Sequence, residues 1–427
     1  MEILNNIGDL LSDTKNIHIK NGTVNLPLPD AYLDFLKRNG LDPSIYDDLE
    51  SLPRYVRLKP GVESQLGEIE AEIGRRLEKV VWLPGFFALP PHIHIASSNP
   101  YRQGKLYGMD AASGAAVAAL NIVPGDHVLD LCAAPGAKLC MILDLLSSSG
   151  SLTGVDIARH RLAACRTMLQ KYGLGDHCRL FVADGTSFCL LPLRTCVDLK
   201  SNSECALDKK KALGGSTCDK TSDVYMEWKP RRHQKVSKNA NKARAGGAST
   251  FDPIKVEPEL IYYGKNSGLI GLKKSELFRS YCEDKAFEFG YDKVLVDAEC
   301  THDGSLKHIH KFEQWGWETL QRRVLDAQRT TSSITLLQLQ LLTNGYRLLK
   351  VGGVLVYSTL DSLTIAQNED VVEQFLSENP SAELQEIHDS KHWPCSSGGI
   401  MKTLRFNPRT SRTSGLFVAK IMKKIDI

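Results

Sequence analysis

A few positions along the chain carry residue types that could do chemistry together: a small-residue turn, three acids and a thiol. The turn is Ala133-Ala134-Pro135-Gly136-Ala137, within VLDLCAAPGAK (Val128 to Lys138), where a largely apolar run meets a segment able to start a helix at Lys138. Small side chains let a ligand approach the backbone, and free N–H groups at a helix start favour a carboxylate or phosphate. Only one glycine is present, so the dinucleotide pattern G-x-G-x-x-G is absent, and alone the turn reads equally as an ordinary strand-to-helix connection. Asp156, in LTGVDIARHRL, stands where a ribose diol would be held by two hydrogen bonds. Asp184, in FVADGTSF, lies where an adenine ring would sit, and is also placed to cap the Gly185-Thr186 turn. Asp297 ends VLVDAEC, with Cys300 three residues on. A cysteine near an acid at the carboxyl edge of a sheet is placed for nucleophilic catalysis; the alternative is a small buried thiol. Together these features favour an adenosine-bearing cofactor. S-adenosylmethionine fits better than NAD, because no second glycine admits a pyrophosphate.

Such residues converge only if strands and helices alternate. From Gly108 onward the pattern predicts strands at Val128–Cys132, Leu152–Ile157, Arg179–Val182, Lys293–Asp297, Val354–Thr359 and Gly415–Ile421. Helices are expected over Lys138–Leu146, Arg159–Tyr172, Thr319–Leu349 (with a break) and Asn368–Ser377. The expected fold class is α/β: a Rossmann-like, mostly parallel sheet flanked by helices, preceded by a small α+β domain. That small domain is read over 29–105, after an N-terminal extension of 1–28. Its helical patterns are Ala31–Arg38 and Glu63–Lys79, with strand-like pieces Tyr55–Leu58 and Val80-Val81-Trp82. The larger domain, 106–427, is interrupted over 195–275 by a segment without sustained period, read as a disordered insertion. Within it, Lys229 to Arg244 carries seven basic residues and no acid. A solvated tract, RNA phosphate contacts and nuclear import stay open for it.

At 427 residues the chain is long enough for two or three domains. A net charge of +3 neither demands nor excludes nucleic acid. Eleven cysteines without a C-x-x-C pair argue for reduced thiols and against a zinc framework, so no metal site is expected. The first residues lack a basic region followed by an apolar one, and no apolar run spans a membrane. A soluble cytoplasmic or nuclear protein is expected.

The chain resembles the NSUN (Sun/Fmu) family of S-adenosylmethionine-dependent RNA (cytosine-5)-methyltransferases. The resemblance is carried by GKLYGMDAASGAAVAAL, GDHVLDLCAAPGAK, GVDIARHRL, VADGTSF, VLVDAEC, LQLLTNGYRLLKVGGVLVYST and SLTIAQNEDVV, and more weakly by RYVRL in the N-terminal part. It implies an α/β enzyme in which Cys132, Ala133, Ala134, Pro135, Gly136, Ala137 and Lys138 bind the methionine part of S-adenosyl-L-methionine. Asp156 would bind the ribose, Asp184 lie near the adenine, Arg161 support the site, and Asp297 face both cofactor and base. The implied substrate is RNA, with tRNA expected over rRNA and a monomer over higher states.

The family places one cysteine after the fourth strand, matching Cys300 and serving product release. Its nucleophile follows the fifth strand in Ser-Thr-Cys-Ser-Leu. Here that stretch reads Ser358-Thr359-Leu360-Asp361-Ser362-Leu363, with two residues in the space of one and no thiol. Three explanations stay open: a splice or gene-model irregularity, a catalytically impaired protein that still binds RNA and cofactor, or reassignment of the nucleophile to Cys300. Smaller departures are Glu299 for a proline, Thr301-His302-Asp303 for a small Ser-Gly turn, Ala137 for a glycine and Leu139 for a threonine.

Overall fold

The computed structural model describes residues 28–46, 52–192, 257–269, 289–304, 315–321, 334–360 and 363–425. Most of the insertion, including Lys229–Arg244, lies outside them, as do residues 1–27 and Asp361-Ser362.

Two sheets build the molecule. The smaller joins β1 (Arg54–Leu58), β2 (Glu78–Lys79), β3 (Phe86–Leu89) and β4 (Leu106–Gly108) in the order β2-β3-β1-β4, every pair antiparallel. Helices α1 (Asp30–Arg38) and α2 (Leu66–Ile73) belong to this half of the chain. The helix expected to run to Lys79 stops earlier. Gly74 takes the left-handed conformation (φ 72°) and returns its N–H to Ala71 and Glu70, which ends α2 and frees Glu78–Lys79 to pair with β3. Val80–Trp82 forms turns instead of the expected strand, because Val80 bonds to Phe86 and Leu83 folds back on Val80.

The large sheet begins with β5 (His127–Asp130), helix α4 following α3 (Ala111–Ala118) in sequence and spanning Ala137–Leu146. Next come β6 (Ser151–Asp156), α5 (Arg159–Tyr172) and β7 (Cys178–Val182). After β8 (Glu259–Tyr263) and β9 (Tyr291–Asp297), α6 (Ile334–Leu348) leads into β10 (Leu349–Leu360), and α7 (Glu369–Glu378) follows. The remaining strands are β11 (Ala382–Leu384), β12 (Ser396–Ser397), β13 (Leu404–Phe406) and β14 (Leu416–Lys423). The order is β12-β13-β14-β10-β9-β5-β6-β7-β8, with β11 on β14. Strands β10, β9, β5, β6 and β7 are mutually parallel, as the alternation predicts. Strand β8 corrects the expectation of an insertion without structure from 195 to 275. Leu260 and Tyr262 bury one face of ELIYY, and that alternation suffices for an antiparallel edge strand on β7.

Chain order reverses at β5: β6 and β7 lie on one side, β9 and β10 on the other. In open α/β sheets the crevice at the carboxyl ends of such strands is where ligands bind. The small sheet docks on the large one through α3, whose sequence AASGAAVA is small enough for close contact. A β-carbon at Gly114 would stand 2.4 Å from the Phe86 ring. Arg57 of β1, the second arginine of RYVRL, points inward, donating to Asp144 of α4 and to the Tyr107 hydroxyl at 2.9 Å. Removing one partner of a buried ion pair strands the other charge. Asp144→Ala is therefore expected to cost about 3–5 kcal/mol in urea unfolding, and a loss below ~1 kcal/mol would show that water reaches the pair.

Candidate active site

The cradle is assembled from the ends of β5 and β6. Asp130 accepts the Cys132 N–H at 3.2 Å, which starts the turn. Ala133 N–H bonds to Val155 O at 2.9 Å, pinning the turn onto β6. The Ala134-Pro135 peptide is cis, and Gly136, with φ 110°, precedes α4 directly. Gly136 is required twice over: few side chains tolerate that backbone conformation, and a β-carbon would sit 3.1 Å from the α-carbon of Cys165. Gly154 on β6 is similarly enclosed by Leu180, Leu139 and Ala133.

Asp156 is buried, and both its oxygens serve the cradle. One accepts Ala158 N–H at 2.8 Å and the other Ala134 N–H at 3.3 Å. Arg161 reaches back from α5 to donate to Ala134 O at 3.0 Å, with a second guanidinium nitrogen 3.7 Å from Asp156. The sequence thus locates two residues whose joint work is to hold the turn. Ile157, next in the chain, is 69% exposed. An apolar side chain left in solvent beside a ribose-type acid is suited to cover an adenine ring. Sequence reading passed over it, because one isoleucine after a strand carries no signal until its exposure is known. Asp184 stands exposed beyond β7 and accepts both the N–H and hydroxyl of Thr186, so it caps its own turn as well as standing near the crevice.

On the other side of the switch point, Asp297 ends β9. Lys138, in the first turn of α4, meets one carboxylate oxygen at 2.8 Å, and the Ser358 hydroxyl donates to the other at 2.7 Å. Lys138 also donates to Ser113 of α3 at 3.3 Å. One lysine thereby joins the cofactor turn to the fourth-strand acid. Ser358, the residue that squares Asp297 from β10, was not singled out in the sequence. Cys300 is buried, its thiol donating to Leu360 O at 2.9 Å with His302 Nδ1 3.7 Å away. A buried polar network locks the loop that carries it. Gln367 accepts from Thr301 N–H (3.0 Å) and donates to the hydroxyls of Thr301 (2.8 Å) and Thr364 (2.9 Å). Asp303 accepts from the Thr301 hydroxyl at 2.5 Å and from Leu363 N–H at 3.0 Å.

Charge is unevenly tolerated here. Burial holds the Cys132 thiol well above its usual range, and the neighbouring Asp130, Asp297 and Asp156 add to the effect, which disfavours its thiolate. Asp130 is pushed up to about 7, first by burial and then by Asp297 and Asp156, against the opposing pull of the Cys132 N–H and Lys138. A carboxyl whose folded pKa is raised stabilises the fold below its ordinary value near 3.8 and withdraws that stability as pH rises toward 7. Asp130→Asn keeps an acceptor for Cys132 and carries no charge. The variant is expected to flatten the fall in urea midpoint between pH 4 and 8, and to exceed the parent by a few kcal/mol at pH 8. Parallel midpoints for the two proteins would overturn this.

A parallel sheet with its reversal at β5, a glycine turn opening α4, an acid closing β6 and an acid-lysine pair at β9 define a Rossmann-like methyltransferase fold. The family model for 16S rRNA methyltransferase RsmB/F matches residues 117–213 and 271–422. The chain belongs to this family, the Sun/Fmu (NSUN) group that its motifs resemble. A mitochondrial tRNA (cytosine(34)-C(5))-methyltransferase from Danio rerio is 38% identical over 100 residues, 23% of this chain and 24% of that protein. A tRNA (cytosine(49)-C(5))-methyltransferase from Pyrococcus abyssi is 32% identical over 146 residues, 32% of this chain and 43% of that one. The chain thus spans less than half the length of these curated relatives. Among solved structures, NSun6 from Pyrococcus horikoshii with SFG superposes with a TM-score of 0.57 at 16% identity, covering 93% of this chain and 99% of that one. A methyltransferase homologue from the same organism gives 0.55 at 22%, covering 93% and 100%. At these identities the likeness concerns the fold.

Proposed function

We propose that the chain transfers the methyl group of S-adenosyl-L-methionine to carbon 5 of cytosine in RNA, with tRNA as the substrate class. The observation that carries this reading is the Lys138–Asp297 contact at 2.8 Å, which joins the cofactor turn to the acid beside Cys300. The cofactor supplies an electrophilic methyl on a sulfonium. The protein's residues do the rest. Cys132 to Lys138 take the methionine end, in a turn whose shape depends on Gly136, where φ is 110° and a β-carbon would press on Cys165. Asp156 takes the ribose, Ile157 covers the adenine from the exposed side, and Asp184 lies beyond it. Asp297, fixed by Lys138 and Ser358, faces the base. Carbon 5 of cytosine is a weak nucleophile until a thiolate adds at carbon 6, so a cysteine is required. The N-terminal half (29–105) is read as the RNA-binding domain and 106–427 as the methyltransferase domain. Among the described residues no helix is long and apolar enough to cross a membrane, and a cytoplasmic or nuclear monomer is the reading we carry forward.

A second reading rests on Leu360. The end of β10, where the family carries its nucleophile, has an aliphatic residue whose backbone carbonyl accepts from the Cys300 thiol. An RNA-binding paralogue that keeps the cofactor site would look the same. Calorimetric titration with S-adenosylmethionine, together with methyl transfer to unmodified tRNA read by bisulfite sequencing, separates the two. Turnover supports the enzyme, cofactor binding without turnover supports the paralogue, and absence of both removes the proposal. Asp156→Ala is expected to weaken cofactor binding at least about 30-fold, since both ribose hydrogen bonds and the anchor of the turn go together; an unchanged Kd would remove Asp156 from the site.

A further inference from the structure

We propose that His302 is the proton acceptor for Cys300, making a cysteine–histidine pair the nucleophilic unit of this chain. The inference rests on the methyltransferase reading above and deepens it. Three observations carry it. First, the Cys300 sulfur lies 3.7 Å from His302 Nδ1, within reach of an S–H···N hydrogen bond. The thiol hydrogen has another acceptor in Leu360 O at 2.9 Å, but a carbonyl cannot take the proton away, whereas an imidazole can.

Second, His302 stands at a backbone position that resists it. Its φ is 54°, a left-handed conformation that costs a side-chain-bearing residue about 1 kcal/mol relative to glycine. The neighbours impose that geometry. Thr301 is held through its N–H and hydroxyl by Gln367, and Asp303 is held by Leu363 N–H and by Tyr32, whose hydroxyl donates to Asp303 O at 3.1 Å. With both flanks locked and buried, the half-buried imidazole is returned toward the thiol two residues back. A glycine would satisfy the backbone there without strain, whereas the histidine sets an imidazole nitrogen beside the thiol.

Third, the pair is in the crevice. Cys300 follows Asp297 by three residues, and its thiol meets Leu360 O at the end of the neighbouring β10, whose Ser358 bonds Asp297, so the thiol stands at the carboxyl edge beside the fourth-strand acid.

The proton balance is closed. The Cys300 S–H proton passes to His302 Nδ1, and the sulfur keeps the electron pair and bonds to carbon 6 of the cytosine. The carbon 5–carbon 6 π pair then bonds the methyl group, whose bond to the sulfonium sulfur breaks with its electrons moving onto that sulfur. Loss of the carbon-5 proton to a base, the role the resemblance gives Asp297, re-forms the double bond and expels the thiolate. His302 returns its proton to the leaving sulfur.

The test is site-resolved alkylation of Cys300 by iodoacetamide in the full chain at pH 7, read by peptide mass spectrometry, with thermal unfolding in parallel. His302→Gly relieves the left-handed strain and His302→Asn tolerates it, so both variants should fold with a Tm at or above the parent's. Both are expected to alkylate at least about ten-fold more slowly at Cys300, because the thiolate fraction falls. Loss of reactivity without loss of Tm is an outcome that a merely structural histidine would not give. Parent-like alkylation in either variant, or a parent Cys300 that is no more reactive than the buried Cys140, overturns the pair. Cofactor binding measured on the same samples reports separately on the methyltransferase reading, which fails if S-adenosylmethionine does not bind.

Discussion

Cys300→Ala is expected to lower methyl transfer to RNA by at least about three orders of magnitude while leaving S-adenosylmethionine affinity within about two-fold. Among the described residues, Cys132 and Cys300 follow the ends of β5 and β9; the acids Asp130, Asp297 and Asp156 disfavour a Cys132 thiolate, whereas His302 Nδ1 stands 3.7 Å from Cys300. Cys300 is thus the thiol the crevice offers. Its thiol bonds to Leu360 O and lies near His302, neither of which is in the glycine turn or at Asp156, so alanine is expected to leave the cofactor contacts in place. Initial rates on transcribed tRNA, beside calorimetric cofactor titration, give the answer. Undiminished turnover would mean that the reaction does not pass through this thiol.

Replacing Leu360-Asp361 with a single cysteine is expected to raise turnover by about 100-fold or more, because a thiol then stands at the end of β10, the position the resemblance gives to the nucleophile, in addition to the Cys300–His302 pair. The frame around that junction is kept. Upstream, Ser358 bonds to Asp297 and Thr359 to Asn368. Downstream, Leu363 is gripped by both backbone groups, its N–H donating to Asp303 at 3.0 Å and its carbonyl accepting from Arg405 at 3.0 Å. Arg405 is itself fixed by Glu369 at the start of α7. A restored cysteine would enter a segment whose two ends are already set. If the edited chain turns over no faster than the parent while binding cofactor equally well, the end of β10 is no longer a catalytic position in this fold.

The parallel core was legible because its signals are local: apolar strands ending in acids, each followed by a helix with its own start and stop. Helix α5 ends at Gly173, in the left-handed conformation, where the sequence places its end. The cofactor turn and Asp156 were legible for the same reason. What escaped reading depends on partners far along the chain. Ser358 matters because β10 lies beside β9, which brings it to Asp297 across 61 residues. Gln367 matters because it meets Thr301 across 66. Strand β8 was lost in polar surroundings, since five residues of alternation do not stand out within a long stretch lacking any period. RYVRL carries the resemblance without showing what its arginines do; packing commits Arg57 to Asp144 across 87 residues.

That commitment has a mechanical side. Asp144 and Lys138 ride on the same helix, six residues and roughly 9 Å apart along its axis. One end of α4 is clasped by the small sheet and the other opens onto the cofactor turn. The helix is therefore a stiff rod between the half read as RNA-binding and the turn proposed to hold the methyl donor. On that reading, a tilt of the small sheet when polynucleotide seats would be passed through Asp144 to the lysine that fixes Asp297. Occupancy at one end then becomes a signal at the other, and the two ligands should each tighten the other's hold.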